Sequence, residues 1–251
     1  MYEKLLNRER NVIFLDETDS TNNYLKALIR STSDSVFTVV SARRQTGGRG
    51  RLGRSFFSPD GGLYFSFSLP LSGDEKNIPL ITLLAGLGVS EAIEEITGVK
   101  TEIKWPNDIY LDKKKLGGIL CELVSGKGLT AIIGVGINTD AEKEEIPSEL
   151  SDIMTSLALN DITSFDKRLL VERIVAKTDG FVYGNKELYE VKKETHEAIK
   201  NRSYSIGKKV KYTVGEKITE GVITDILITG AAEITLADGS KKEIFCGEIT
   251  S

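Results

Sequence analysis

With 251 residues, 40% of them hydrophobic and 28% charged, the chain is long enough for one large domain with a substantial core plus a small second one. Its 33 basic and 37 acidic side chains leave a net charge of −4, which excludes a global field attracting nucleic acid, so any anion site must be a local cluster. The longest uncharged apolar stretch, Asn77 to Ser90, is 14 residues and is interrupted by Pro79, Gly86 and Gly88, short of the ~20 that a membrane-spanning helix needs.

Glu3, Lys4, Arg8, Glu9 and Arg10 crowd the first ten residues with no apolar run behind them, unlike a secretory signal. The two cysteines, Cys121 and Cys246, form no CxxC pair, which fits a reducing cytoplasm. His196 is the only histidine and sits among Lys192, Lys193, Glu194, Glu197 and Lys200, the pattern of a solvated helix face. One histidine and two distant cysteines make a poor zinc site, and no motif supports a Ser-His-Asp mechanism.

In chain order, Val12 to Leu15 reads as a short buried strand, and Asp19 or Ser20 can cap a helix running to about Arg30. Val36 to Ala42 is a second strand that empties into an Arg/Gly-rich loop. From Gly62 to Leu69 the chain alternates, with Leu63, Phe65, Phe67 and Leu69 on one face and Tyr64, Ser66 and Ser68 on the other. Leu80 to Ile96 is apolar on nearly every side and predicts a buried helix. Three strands follow, Thr101–Trp105, Lys115–Val124 and Leu129–Ile137, with hairpin turns at Asp112–Lys115 and Gly126–Gly128. Ser164 or Asp166 opens a helical region that continues, broken near Gly184, to about Lys200.

From Tyr204 the texture changes to short strands: Lys208–Val214, Thr219–Leu227, Ala232–Leu236 and Lys241–Phe245, with Asp238-Gly239 as a turn. They predict a small barrel of about 48 residues, near the lower limit for folding alone and therefore packed on the main domain. The division falls at 1–202 and 203–251.

The densest signal is Gly47-Gly48-Arg49-Gly50-Arg51-Leu52-Gly53-Arg54. With Arg43 and Arg44, five arginines fall within twelve residues, and no Asp or Glu occurs from Ser35 to Pro59. Guanidinium forks suit phosphate and carboxylate oxygens, and glycines let a ligand approach the backbone. A solvated surface loop is the plainer reading, but the position between two apolar strands favours anion binding. Gly48-x-Gly50-x-x-Gly53 mimics the dinucleotide fingerprint, and Gly48-x4-Gly53-Arg54-Ser55 is a Walker A near miss. Both motifs need a helix starting at the last glycine, whereas this loop runs into Phe56-Phe57-Ser58-Pro59-Asp60-Gly61-Gly62.

Lys104-Trp105-Pro106-Asn107-Asp108 places an Asn-Asp pair at a strand tip beside the only tryptophan, a pattern that turn chemistry alone also produces. In Lys115-Leu116-Gly117-Gly118-Ile119-Leu120 and Gly134-Val135-Gly136-Ile137-Asn138, glycines interrupt apolar strands, as happens where a ligand or backbone passes close. Lys115 is either an ordinary member of the Lys113–Lys115 turn or a site residue.

Taken in order, Ser20-Thr21-Asn22, Gln45 with the Gly48–Arg54 loop, Lys104 to Asp108, Lys115 to Leu120 and Gly134 to Asn138 resemble the biotin–protein ligase family across nearly the whole chain. The resemblance implies an α+β fold: a mixed β-sheet catalytic domain with flanking helices, like class II synthetases and lipoate ligases, plus a C-terminal SH3-like β-barrel. It implies a two-step reaction in which biotin's carboxylate attacks the α-phosphate of ATP to give biotinyl-5′-AMP, and a lysine of a biotin carboxyl carrier protein or domain then displaces AMP.

By the same resemblance Ser20, Thr21, Asn22, Gln45, Gly48, Arg49 and Gly50 hold biotin's head group, while Gly118, Gly134 and Gly136 leave room for its ring and tail. Arg51 and Lys115 stabilise the carboxylate and α-phosphate, and Arg54, Phe56, Lys104, Asn107 and Asn138 contact ATP. Asp108 orients the incoming lysine or accepts its proton, and Mg2+ accompanies the ATP phosphates. No metal is held by the protein itself. Phe56 stands where some relatives carry Trp. Because the catalytic pattern begins near Val12, no helix-turn-helix domain and no specific DNA binding are expected; a homodimer through the sheet is. The alternatives are a lipoate or octanoate ligase of the same fold, which lacks the Gly-Arg-Gly-Arg and Trp-Pro-Asn-Asp segments, and a non-catalytic RNA-binding role for the arginine loop.

Overall fold

A computed structural model describes residues 10–31, 37–71, 77–125, 128–183, 191–214, 217–245 and 247–249. Val36, Gly126, the break near Gly184 and Cys246 lie outside the described residues.

Strand β1 (Asn11–Thr18), helix α1 (Thr21–Ser31) and strand β2 (Thr38–Gln45) form a crossover unit, with β1 and β2 parallel. The other strands of this sheet pair antiparallel: β3 (Leu63–Leu71), β4 (Glu102–Lys104), β5 (Asp108–Leu111), β6 (Lys114–Ser125) and β7 (Leu129–Ile137). The strand order is β1-β2-β3-β7-β6-β5-β4. Helix α2 (Ile78–Thr97) is capped by Asn77, whose side chain accepts from Leu80 N at 3.2 Å. Apolar on nearly every side, it is buried between one sheet face and helix α3 (Lys167–Tyr183). Asp166 caps α3, its Oδ1 accepting from Arg168 N and Leu169 N.

Helix α1 covers part of the opposite face, where Leu25 and Ile29 pack on Val40, Val124 and Ile132. The rest of that face stays open. No helix among the described residues is long and apolar enough to cross a membrane.

The C-terminal strands form a second, antiparallel sheet of five: β8 (Lys209–Val214), β9 (Lys217–Ile226), β10 (Ala232–Thr235), β11 (Lys241–Ile244) and β12 (Glu248–Ile249), in the order β11-β10-β9-β8-β12. This matches the expected small barrel, with β12 as an added strand. It is docked firmly. Its core residues Val210, Ile223 and Ile234 belong to the same cluster as Ile103 and Trp105. Trp105 Nε1 donates to Gly230 O at 3.1 Å, and Trp105 N donates to Ser205 Oγ at 2.7 Å. Helix α4 (Lys193–Asn201) bridges the two units through Lys200, 2.9 Å from Asp225.

Three local expectations change. The segment Val12–Leu15 is not buried: it lies on an edge strand that exposes Val12 by 52% and Phe14 by 67%. A four-residue apolar run is equally compatible with either placement. His196 is not on a solvated face; half-buried, its Nε2 lies 2.7 Å from Ile226 O and ties α4 to the barrel. Asp108 is not at a free tip but begins β5, pairing with Lys104 across a turn that contains the cis Trp105–Pro106 peptide.

Candidate active site

The open sheet face is floored by small residues because of strand register. Across β4, β5, β6, β7, β3 and β2, Lys104, Asp108, Gly118, Gly136, Tyr64 and Ala42 fall in one cross-strand row. The neighbouring row on the same face runs Leu120, Gly134, Ser66 and Val40. The two β7 glycines make room for side chains lying over them. A Cβ at Gly134 would stand 2.2 Å from Asn22 Oδ1, and one at Gly136 would stand 2.5 Å from the Phe56 ring.

Lys115 reaches this face through an irregularity. Alternation would put it on the side opposite Gly118 and Leu120. A β-bulge between Ile109 and Tyr110 shifts the register so that Tyr110 pairs with Lys115 and Ile109 with Gly117. The shift turns Lys115 into the cleft and sends Leu116 into the core. Lys115 Nζ then lies 2.8 Å from Asp108 Oδ1, and 5.9 Å from the Phe56 ring centroid.

The arginine loop folds back on itself through the bridge Arg49–Ser55 and a bond from Gly50 N to Arg54 O at 2.7 Å. Its tip is a 3-10 turn, Arg51–Gly53, with Leu52 at φ 56° and 85% exposed. No helix starts at Gly53, so neither nucleotide-loop motif is formed. Arg51 Nη1 donates to Asn107 Oδ1 at 3.3 Å, linking the loop to the β4–β5 turn, and Arg49 Nη1 donates to Asn23 Oδ1 at 3.2 Å.

The closed end is a hydrogen-bonded net between α1 and the strands. Gln45 Oε1 accepts from Thr21 N at 2.9 Å, and Gln45 Nε2 donates to Ser58 Oγ at 3.1 Å. Ser66 Oγ lies 2.7 Å from Thr21 Oγ1 and 2.6 Å from Asn22 Oδ1. Beneath it, Asn22 Nδ2 donates to Glu122 Oε2 at 2.8 Å, and Lys26 Nζ donates to Glu122 Oε1 at 2.5 Å.

Together these parts enclose a cleft of about 680 Å3. Of the eighteen site residues named from the sequence, sixteen line it. Gly48 and Asn138 do not. Gly48 is buried under Ser58 and the Phe56 backbone. Asn138 is 4% exposed, and its Nδ2 donates to Thr155 O at 3.0 Å, pinning the segment after β7. Six cations line the cleft (Arg49, Arg51, Arg54, Lys104, Lys115 and Lys211) against one carboxylate, Asp108. In a chain of net charge −4 this is a strong local inversion.

Residues not anticipated are Ser58, Ser66, Lys26 and Glu122 at the closed end, and Lys211, Tyr212 and Ile218 from the barrel. Ser66 had a signal, standing on the polar stripe of an otherwise apolar strand; the barrel residues had none.

Burial pushes the Cys121 thiol up to about 12, which removes it as a nucleophile. Burial likewise pushes Tyr110 up to about 12, keeping its hydroxyl as the acceptor of Lys104 Nζ at 3.0 Å. Among the described residues no three His, Cys, Asp or Glu side chains converge on a metal position.

Residues 14–138 match the Biotin/lipoate A/B protein ligase family. The bifunctional ligase/repressor BirA of Salmonella typhimurium is 32% identical over 245 residues, covering 96% of this chain and 74% of that protein. The chain belongs to the biotin–protein ligase family. BirA of Bacillus subtilis is 36% identical over 169 residues, or 66% of this chain and 52% of that protein, so the chain spans about half the length of that curated relative. The biotin protein ligase from Aquifex aeolicus, solved in complex with biotin and ATP, superposes with a TM-score of 0.77 at 36% identity, covering 96% of this chain and 97% of that one. The seven-stranded mixed sheet with its flanking helices is the family's catalytic fold.

Proposed function

We propose that this protein activates biotin with ATP to form biotinyl-5′-AMP and transfers the biotinyl group to a lysine of a biotin carboxyl carrier protein or domain. The observation that carries this is the cleft's division of labour. A neutral hydrogen-bonding end at Thr21, Asn22 and Gln45 opens, along a glycine floor, onto six cations and one carboxylate. The neutral end suits a cyclic urea, which offers N–H donors and a carbonyl acceptor together. The glycine floor takes an aliphatic tail. The cations suit the carboxylate and the phosphates, on which charge accumulates during acyl-adenylate formation.

Within this reading Lys115 and Arg51 neutralise the carboxylate and α-phosphate as they approach. Arg54, Lys104, Asn107 and Phe56 hold the nucleotide. Asp108, standing between Lys104 and Lys115, serves the incoming amine in the second step. Mg2+ accompanies the ATP phosphates as part of the substrate. Residues 1–202 carry the chemistry, and 203–251 form a barrel that closes one wall of the cleft through Lys211, Tyr212 and Ile218. The exposed Val12 and Phe14 on edge strand β1 support a homodimer through the sheet, and the cysteine usage supports a cytoplasmic setting.

The test is incorporation of radiolabelled biotin into a purified carrier domain in the presence of ATP, with unlabelled biotin or lipoate as competitor. Competition by biotin alone supports the reading. Failure to incorporate biotin, with labelled lipoate incorporated in its place, would move the protein to the lipoate-attaching branch, for which a polar closed end is the wrong chemistry.

A further inference from the structure

The ion pair behind the closed end is not part of the cleft wall, yet its geometry constrains what the wall can offer. Glu122 follows Gly118 and Leu120 on the cleft-side face of β6, where α1 begins to cover the sheet just before Val124. Its carboxylate accepts from Asn22 Nδ2 at 2.8 Å on one oxygen and from Lys26 Nζ at 2.5 Å on the other. The second proton of the Asn22 amide goes to Leu120 O at 3.3 Å. An ionised carboxylate only accepts, so the amide cannot rotate, and its oxygen must face Ser66.

The consequence travels along the net. Ser66 Oγ, 2.6 Å from Asn22 Oδ1, has to donate its single proton there. It then has only lone pairs for Thr21 Oγ1, 2.7 Å away, so the Thr21 hydroxyl donates into the protein, either to Ser66 or to Gln45 Oε1 at 3.2 Å. What Thr21 presents to the cleft is a lone pair. Gln45 is oriented too: its oxygen is taken by Thr21 N and one amide proton by Ser58, which leaves the other N–H for the cleft.

We propose that Glu122, ion-paired with Lys26, is a positioning residue that sets the direction of the Asn22–Ser66–Thr21 hydrogen-bond chain, so that Thr21 can only accept from an N–H of the substrate's head group. The inference rests on the biotin reading of the cleft. It places part of head-group recognition in two residues that do not line the cleft. Burial on its own would raise the Glu122 carboxyl; the bonds from Lys26 and Asn22 outweigh it and hold the group below the ordinary carboxylate range, as an acceptor-only role requires.

The experiment is a mutant series in the full-length protein, read as KM for biotin, KM for ATP and kcat in adenylate formation. In Glu122→Gln the Lys26 ammonium captures the new amide's oxygen, so its NH2 group faces Asn22 and reverses the chain. The expected result is a rise in biotin KM of about tenfold, the scale of one hydrogen bond at a buried site, with kcat and ATP KM within about twofold. Adding Lys26→Met frees the glutamine to turn its oxygen back to Asn22, so Lys26→Met/Glu122→Gln should recover most of the lost affinity. In a Thr21→Val background, Glu122→Gln should cost less than about twofold more, since the end of the chain is already gone. An unchanged biotin KM in Glu122→Gln overturns the proposal. So does a parallel loss of kcat and both KM values, the absence of rescue by Lys26→Met, or full additivity with Thr21→Val. If the wild type itself shows no biotin-dependent adenylate formation, it is the biotin reading that fails, and the proposal falls with it.

Discussion

Lys115 Nζ stands 2.8 Å from Asp108 Oδ1, on adjacent strands and in the same cleft, joined by a bulge that overrides the alternation of β6. The two charges face one another while belonging to different halves of the proposed chemistry. A cation helps two anions meet; a carboxylate does not, and its use is toward an amine that must lose a proton before it attacks.

Lys115→Ala should therefore slow adenylate formation by about 10²–10³-fold, the usual scale for losing one electrostatic stabiliser. Asp108→Ala should impair transfer from preformed biotinyl-AMP at least as much as adenylate synthesis. Single-turnover measurement of each half-reaction separates them. An Asp108→Ala enzyme defective only in the first step would reassign that residue to the nucleotide.

The glycine floor gives a graded pair. At Gly134 a methyl group would collide with Asn22 Oδ1 at 2.2 Å, whereas at Gly118 it would meet Asp108 Oδ1 at 3.3 Å and Lys115 Cε at 3.5 Å, a tight but flexible neighbourhood. Gly134→Ala should weaken biotin binding by about 1–3 kcal/mol, the cost of overpacking, while Gly118→Ala should cost well under half of that. Calorimetric titration with biotin decides it, and equal losses at both positions would contradict the register described here.

The arginine loop carries three cleft cations beside a Leu52 that is 85% exposed. If it folds over the adenylate and excludes water, tryptic cleavage at Arg49 to Arg54 should be suppressed by biotin plus ATP. Equal cleavage with and without the two ligands would count against a lid.

Truncation after Asn201 removes the partners of Trp105 Nε1 and of Trp105 N, and one wall of the cleft, but no residue of the closed end. The truncated protein should unfold at a lower temperature and lose rate, while retaining more of its biotin affinity than of its ATP affinity. An unchanged rate would show that the barrel is merely attached.

Much of this was legible in the residues. The buried helix Ile78–Thr97, the strand pattern around the glycines and the Arg/Gly loop each follow from composition and periodicity, and their order carried the family resemblance. Register was harder. Nothing in the run Lys113–Lys115 distinguishes the lysine that a bulge turns into the cleft from Lys113 in the turn or Lys114 at the start of β6, because a bulge is decided by pairing with Tyr110 on another strand. Strand β5 was hidden by turn-forming Asn107 and Asp108. Glu122 looked like an ordinary surface position on β6, since its partners Asn22 and Lys26 lie about a hundred residues earlier. Lys211 entered the cleft through packing of the C-terminal sheet against the β4–β5 region, a long-range contact that local patterns do not carry.

In the proposed reaction biotin's carboxylate joins the α-phosphate of ATP and releases pyrophosphate, so the most direct measurement is exchange of labelled pyrophosphate into ATP by the purified protein. Exchange should require biotin, gain no support from lipoate, and fall by about 10²-fold or more in Lys115→Ala. Exchange independent of biotin, or supported by lipoate instead, would contradict the proposed reaction.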